Sequence, residues 1–239
     1  ACAALERLAT VEPEYPIWRT RLAKVLGARA GNHRALGDAR GARNDHDRAV
    51  QTLEALVAAS GDDLDLHRAL AVALAERGDA AAADSDFATA TRDHQRAIAE
   101  LEGLLAKEPD HPQTRANLVA VLANHGERLA QHGDLASATA AVERSLALAD
   151  PGDSPQAVAS RCEILAQASD LAMRRAEPEL ARAHVERAAA EGVGVDAAGV
   201  EPLHEQVDGL ALAGAVGAGE EHDHGNARLL EGALGLEEL

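Results

Sequence analysis

The stretch DHDRAV at residues 45–50 returns as DHQRAI at residues 93–98, so an Asp-His pair occurs twice in the chain. A carboxylate beside an imidazole is the makings of a proton relay, and two such pairs could serve as metal ligands. Chemistry requires only the pair itself to recur, whereas architecture requires its surroundings to recur at the same offset. The surroundings do. Leu22, Leu70 and Leu118 stand 48 residues apart, as do Leu26, Leu74 and Leu122. The same offset links Ala30, Gly78 and Gly126, then Gly37, Ser85 and Gly133, then Ala42, Ala90 and Ala138, then Arg48, Arg96 and Arg144. In the third unit the Asp-His column reads Ala141 and Val142, a change that a packing position tolerates and a catalytic pair does not. His46 and His94 are therefore expected to pack between helices.

A fixed period of this size marks a protein built of stacked units, each one supersecondary element. Within a unit, apolar residues recur at three and four, the helical spacing. In the second unit this predicts one helix over about residues 65–84 and another over about 87–107, with Leu70, Leu74, Gly78 and Ala81 on one stripe of the first and Phe87, Ala90, His94, Ala97, Ile98, Leu101, Leu104 and Leu105 inward on the second. The units close in SGDD, EPDHP and DPGDSP, where Gly and Pro stop a helix and Asp or Ser can cap the next one. Pro16, Pro112 and Pro155 suit the first position of a helix, where a missing N–H goes unused.

The expected organisation is the end of a truncated preceding repeat over 1–14, repeats over 15–63, 64–111 and 112–154, a degraded capping repeat over 155–190, and a tail over 191–239. The capping repeat echoes the third at an offset of 43, since ARAHVERAAA follows AAVERSLA by that distance. Ala1 to Ala9 aligns with the middle of a second helix, Ala49 to Val57, so the chain reads as a fragment. Residues 190–239 carry ten glycines, eleven acids and the single base Arg228, a composition that favours a flexible acidic segment, with LLEGALGLEEL at 229–239 able to form a short amphipathic helix.

Composition narrows the function. One Trp, one Tyr and one Phe leave a core of Leu, Val and Ala, which suits closely approaching helices. A formal charge of −17 argues against nucleic acid as a partner, because phosphates would be repelled. LALAGAVGA at 210–218 is half the length of a membrane span. Cys2 and Cys162 form no C-x-x-C pair, which favours a reducing compartment, and the expected location is cytoplasmic. GVGVDA at 192–197 has the letters of a dinucleotide fingerprint without the strand before it and helix after it that aim amides at a pyrophosphate. EEHDHG at 220–225 could hold a metal only weakly, lacking a second ligand pair. No catalytic residue, cofactor or metal site is expected.

Paired helices with a small residue midway in the first, a Gly-like turn, and Ala followed seven residues on by Ala or Ser resemble tetratricopeptide repeats. Leu122, Gly126, Leu129, Gly133, Ala138, Val142, Ser145 and Pro151 fit that packing signature best. The period is 48 where the family commonly has 34, and the longer form resembles arrays that follow the kinase domain of some bacterial serine/threonine kinases. No kinase motif is present in these residues: no H-R-D, D-F-G or V-A-I-K. The resemblance implies an all-α fold of antiparallel helix pairs stacked into a right-handed α-solenoid, whose first helices line a concave face. It implies a scaffold that binds a protein or peptide in that groove, or alternatively the regulatory or substrate-docking segment of a larger enzyme such as a serine/threonine kinase. The groove positions would be Lys24, Glu76, Asp79, Asn124 and Glu127. Their acidic balance favours a partner with basic residues, and Asp79, on the open side, is expected to tolerate replacement by Asn at almost no cost.

Overall fold

Asp, Pro and Gly recur where helices must start and stop, and the computed structural model, which describes residues 2–12, 15–152 and 154–192, turns them into nine helices among the described residues. These are α1 (Cys2–Val11), α2 (Pro16–Ala35), α3 (Ala39–Ser60), α4 (Leu64–Ala83), α5 (Phe87–Lys107), α6 (Pro112–Gln131), α7 (Leu135–Leu148), α8 (Pro155–Arg174) and α9 (Pro178–Gly192). No strand occurs among the described residues. The second unit's helices begin and end within one residue of the sequence expectation.

The period is visible in the caps. Asp38, Asp86 and Asp134 each accept a hydrogen bond from the backbone N–H three residues on, at Gly41, Thr89 and Ser137, which satisfies a donor the helix itself leaves orphaned. Just before each cap the chain turns through the left-handed region, at Gly37, Ser85 and Gly133, with φ of 77°, 63° and 91°. The following N–H reaches back five residues, as in Asp86 to the Ala81 carbonyl, closing the preceding helix. In the shifted last unit, Ala176 takes the same turn at φ 60°, offset from Gly133 by 43 as the sequence echo requires. Pro16, Pro112 and Pro155 open their helices as expected.

Helices pack as antiparallel neighbours, α2 with α3, α4 with α5, α6 with α7 and α8 with α9, and each pair packs on the next. The first helices α2, α4, α6 and α8 also touch in succession, so they form one layer of the stack. Apolar side chains fill the spaces between. Leu26, Val50, Leu74 and Leu101 are fully enclosed, and burying one such Leu contributes about 2 kcal/mol. Three clusters succeed one another: a large one spanning α2 to α6, a second from α6 to α8, and a small one between α8 and α9.

Small residues on the first helices let the partners close in. A Cβ added at Gly78 would lie 2.7 Å from the His94 ring, and one at Gly126 would lie 2.7 Å from a Val142 methyl. His46 and His94 thus occupy the interhelical seam, as expected, at 5% and 0% exposure. The ion pairs keep the period too. Arg48, Arg96 and Arg144 reach back to Glu6, Glu54 and Glu102 of the preceding second helix, linking α3 to α1, α5 to α3 and α7 to α5.

Candidate functional site

The layer made by α2, α4, α6 and α8 carries the residues that the sequence places in the groove. Lys24 stands exposed on α2, outside any ion pair among the described residues. Glu76, on α4, leans over α2, where Gly27 leaves it room: a Cβ at Gly27 would fall 2.6 Å from its carboxylate oxygen. Much of Glu76 is open to solvent, yet its carboxylate lies over the backbone of the neighbouring helix α2 and is partly desolvated there. That desolvation raises its pKa above the ordinary 4.5, and the nearby charge of Asp79 raises it further.

Asp79, one turn along α4, is not a free surface acid. Its Oδ2 accepts a hydrogen bond from Asn124 Nδ2 of α6 at 3.0 Å, and its Oδ1 lies 3.1 Å from His94 Nε2 of α5. This corrects the expectation that Asp79 could be exchanged at no cost, because the carboxylate joins three helices. The same bond occupies Asn124, whose amide is therefore not idle in the groove. Glu127 is tied to its own helix, with Arg128 at 3.5 Å and the Gln131 amide donating to it at 3.1 Å. The structure therefore brings Glu76, Asp79 and Asn124 together and leaves Lys24 and Glu127 outside that cluster.

Behind the cluster lies His125 of α6, which sequence reading passed over. Its ring meets that of His94 edge-on, with centroids 5.7 Å apart. A signal existed: His125 stands 48 residues beyond Arg77 and 96 beyond Arg29. Those arginines form two-pronged ion pairs with Asp45 and Asp93 of their partner helices, at 2.5 Å for Arg29 and 2.6 and 3.0 Å for Arg77. The Asp of each Asp-His pair is thus bonded to an arginine of the neighbouring helix. Arg29 holds the Asp45 carboxyl below its ordinary pKa, principally through that hydrogen bond. A relay in which the carboxylate orients the adjacent imidazole has no geometric basis.

A concavity of about 840 Å³ opens where α7 stops, at 14 residues against 22 for α3 and 21 for α5. Arg161 and Arg187 line it, but both are bonded to Glu191. Among the described residues no group of three His, Cys, Asp or Glu is placed to hold a metal, and no helix is long and apolar enough to cross a membrane. EEHDHG and all but the first residue of GVGVDA lie outside the described residues, as does the acidic tail from residue 193 onward.

Stacked antiparallel pairs with the first helices in one layer also occur in solved structures. A kinesin light chain-type protein of Podosopora anserina with nearly identical TPR-like repeats superposes at a TM-score of 0.62, with 15% identity over 84% of this chain and 89% of that one. A form of that protein carrying a single Gln-to-Met substitution gives 0.63, again with 15% identity, over 82% and 88%. The fold is the TPR-like helical repeat. A thermophilic TPR protein of Thermus thermophilus is more distant, at a TM-score of 0.41 and 18% identity over 88% of this chain and 89% of that one. No family model and no curated protein sequence matches the chain. The TPR-like likenesses bear on fold alone and leave the kinase setting without support.

Proposed function

We propose that this TPR-like array is a protein-interaction scaffold that holds a peptide or helix of a partner along the layer formed by α2, α4, α6 and α8. The observation that carries the reading is Glu76. It is a carboxylate laid over the neighbouring helix α2, crowded enough for its pKa to rise, with no cation of its own chain bonded to it among the described residues. An Arg or Lys of a partner would supply the missing charge, and Val72, 37% exposed one turn away on the same helix, offers an apolar neighbour. Asp79 adds negative potential while remaining occupied by His94 and Asn124.

Fluorescence anisotropy with matched basic and acidic peptides, at low and high salt, tests the reading. The basic peptide should bind more tightly, its advantage should shrink as salt screens the groove, and Glu76→Gln should weaken it severalfold without altering the fold. Preference for the acidic peptide, or indifference to Glu76→Gln, would refute the groove assignment.

A further inference from the structure

We propose that the junction between the α4–α5 pair and the α6–α7 pair is an acid-operated hinge, closed while the buried imidazole of His125 is neutral and opened when it takes up a proton. The argument begins with what the first two pairs have and the third lacks. Arg29–Asp45 and Arg77–Asp93 fasten α2 to α3 and α4 to α5 with permanent charges. In the third pair both partners of that column are different together: His125 stands for the arginine and Ala141 for the aspartate. With no carboxylate opposite it, the His125 ring lies against His94 across the junction between pairs.

Both rings are enclosed, with His94 at 0% and His125 at 7% exposure. Asp79 fixes one proton: Nε2 of His94 donates to it, which leaves Nδ1 of His94 as the bare nitrogen. That Nδ1 has no hydrogen-bond partner, and neither has Nδ1 of His125. A proton added at the His125 Nδ1 would sit on a buried cation with no acceptor, beside a second imidazole. From α5, His94 is the titratable group that faces His125. From α4, Asp79 is bonded to His94 and to Asn124, the residue before His125, with Glu76 a turn away, and no charged group of α7 or α8 acts on His125 among the described residues.

Burial, and secondarily His94, push the His125 pKa from the ordinary 6.5 down to about 4. An opened junction would restore the solvated value, so opening is coupled to proton uptake. The closed state loses stability progressively as pH falls from 6.5 towards about 4, and above 6.5 the proton has no influence. The Asp45 carboxyl, held below its ordinary value by Arg29, stays ionised across that window. Its staple therefore persists while the junction yields. The inference stands whether or not the groove holds a peptide.

The test uses the full chain with Cys2→Ser and Cys162→Ser, carrying a fluorophore pair at Gln95→Cys on α5 and Gln156→Cys on α8, both exposed positions. Single-molecule energy transfer should fall as pH drops, with a midpoint between 6.5 and 4, while far-ultraviolet helicity stays constant. His125→Leu should abolish the fall. Constant transfer down to pH 4, or an undiminished fall in His125→Leu, overturns the proposal. NMR titration of the His125 ring in the chain with native histidines gives a second measure that needs no histidine variant. Its midpoint should coincide with that of the distance change, and a separation of more than about one pH unit overturns the assignment.

Discussion

Asp45 and Asp93 each precede a histidine, and each is bonded instead to an arginine sixteen residues upstream. On a helix, successive side chains diverge by about 100°, so an adjacent Asp and His face different neighbours. This separates their energetics. Asp93 is fully enclosed and Arg77 nearly so, at 0% and 14% side-chain exposure. Asp93→Ala should cost about 3 kcal/mol, because it leaves a largely buried guanidinium with only the half-exposed Asp47, at 3.3 Å, as counter-charge. His46→Leu roughly keeps volume at a position that Val142 already fills with an apolar group in the third unit, and should change stability by no more than about 1.5 kcal/mol. Urea denaturation of the two variants checks the pair, and equal losses would mean that the carboxylate is not the anchor. The periodic text made the packing role of both histidines legible. It could not show which polar partners they meet, because Asp79, Asn124 and His125 have no counterpart of the same type one period earlier, where Gly31, Glu76 and Arg77 stand.

At the scale of elements, the turns between paired helices share one backbone conformation while their residues differ. Gly37 and Gly133 adopt it freely, whereas Ser85 and Ala176 carry a Cβ into the left-handed region at φ 63° and 60°. Ser85→Gly and Ala176→Gly should each stabilise the chain by about 0.5–1 kcal/mol, the relief of strain exceeding the entropy glycine adds to the unfolded state. Thermal melting should show a rise of one to a few degrees for each; a fall at Ser85 would mean that its side chain contributes more than the strain costs. The positions of these turns were readable from Gly37 and Gly133 in column, and so were the helices they divide. The Arg column was equally readable. Its pairing with the column Glu6, Glu54 and Glu102, six residues C-terminal to the preceding period's Arg position, was not, since an offset of 42 belongs to no single helix's spacing. Those bridges are about 40% exposed on both sides in the first two cases, so each contributes a few tenths of a kcal/mol and serves register more than stability.

Taken as a whole, a TPR-like stack is a chain of local contacts: each pair touches its neighbours and little else, so stability is a sum over pairs and interfaces. The sum is uneven here. The cluster spanning α2 to α6 is built on many leucines, while the one between α8 and α9 has Leu165, Val185 and the alanines Ala172, Ala181 and Ala188. Leu165 is its single fully buried leucine, with the half-buried Leu146 packed against it. Leu165→Ala removes about 2–4 kcal/mol of packing, and the α8–α9 pair has few other apolar contacts to absorb the loss. The middle of the stack does not depend on that pair, since α4 and α5 pack on α3 and α6. Unfolding should therefore cease to be all-or-none. Native-state hydrogen exchange on Leu165→Ala should show α8 and α9 amides exchanging at least tenfold faster, while α4 and α5 amides keep their protection. Leu74→Ala, at the centre of the large cluster, should instead accelerate exchange in α2 to α6 together. A uniform acceleration along the whole array in Leu165→Ala would refute the additive description and make the stack a single cooperative unit.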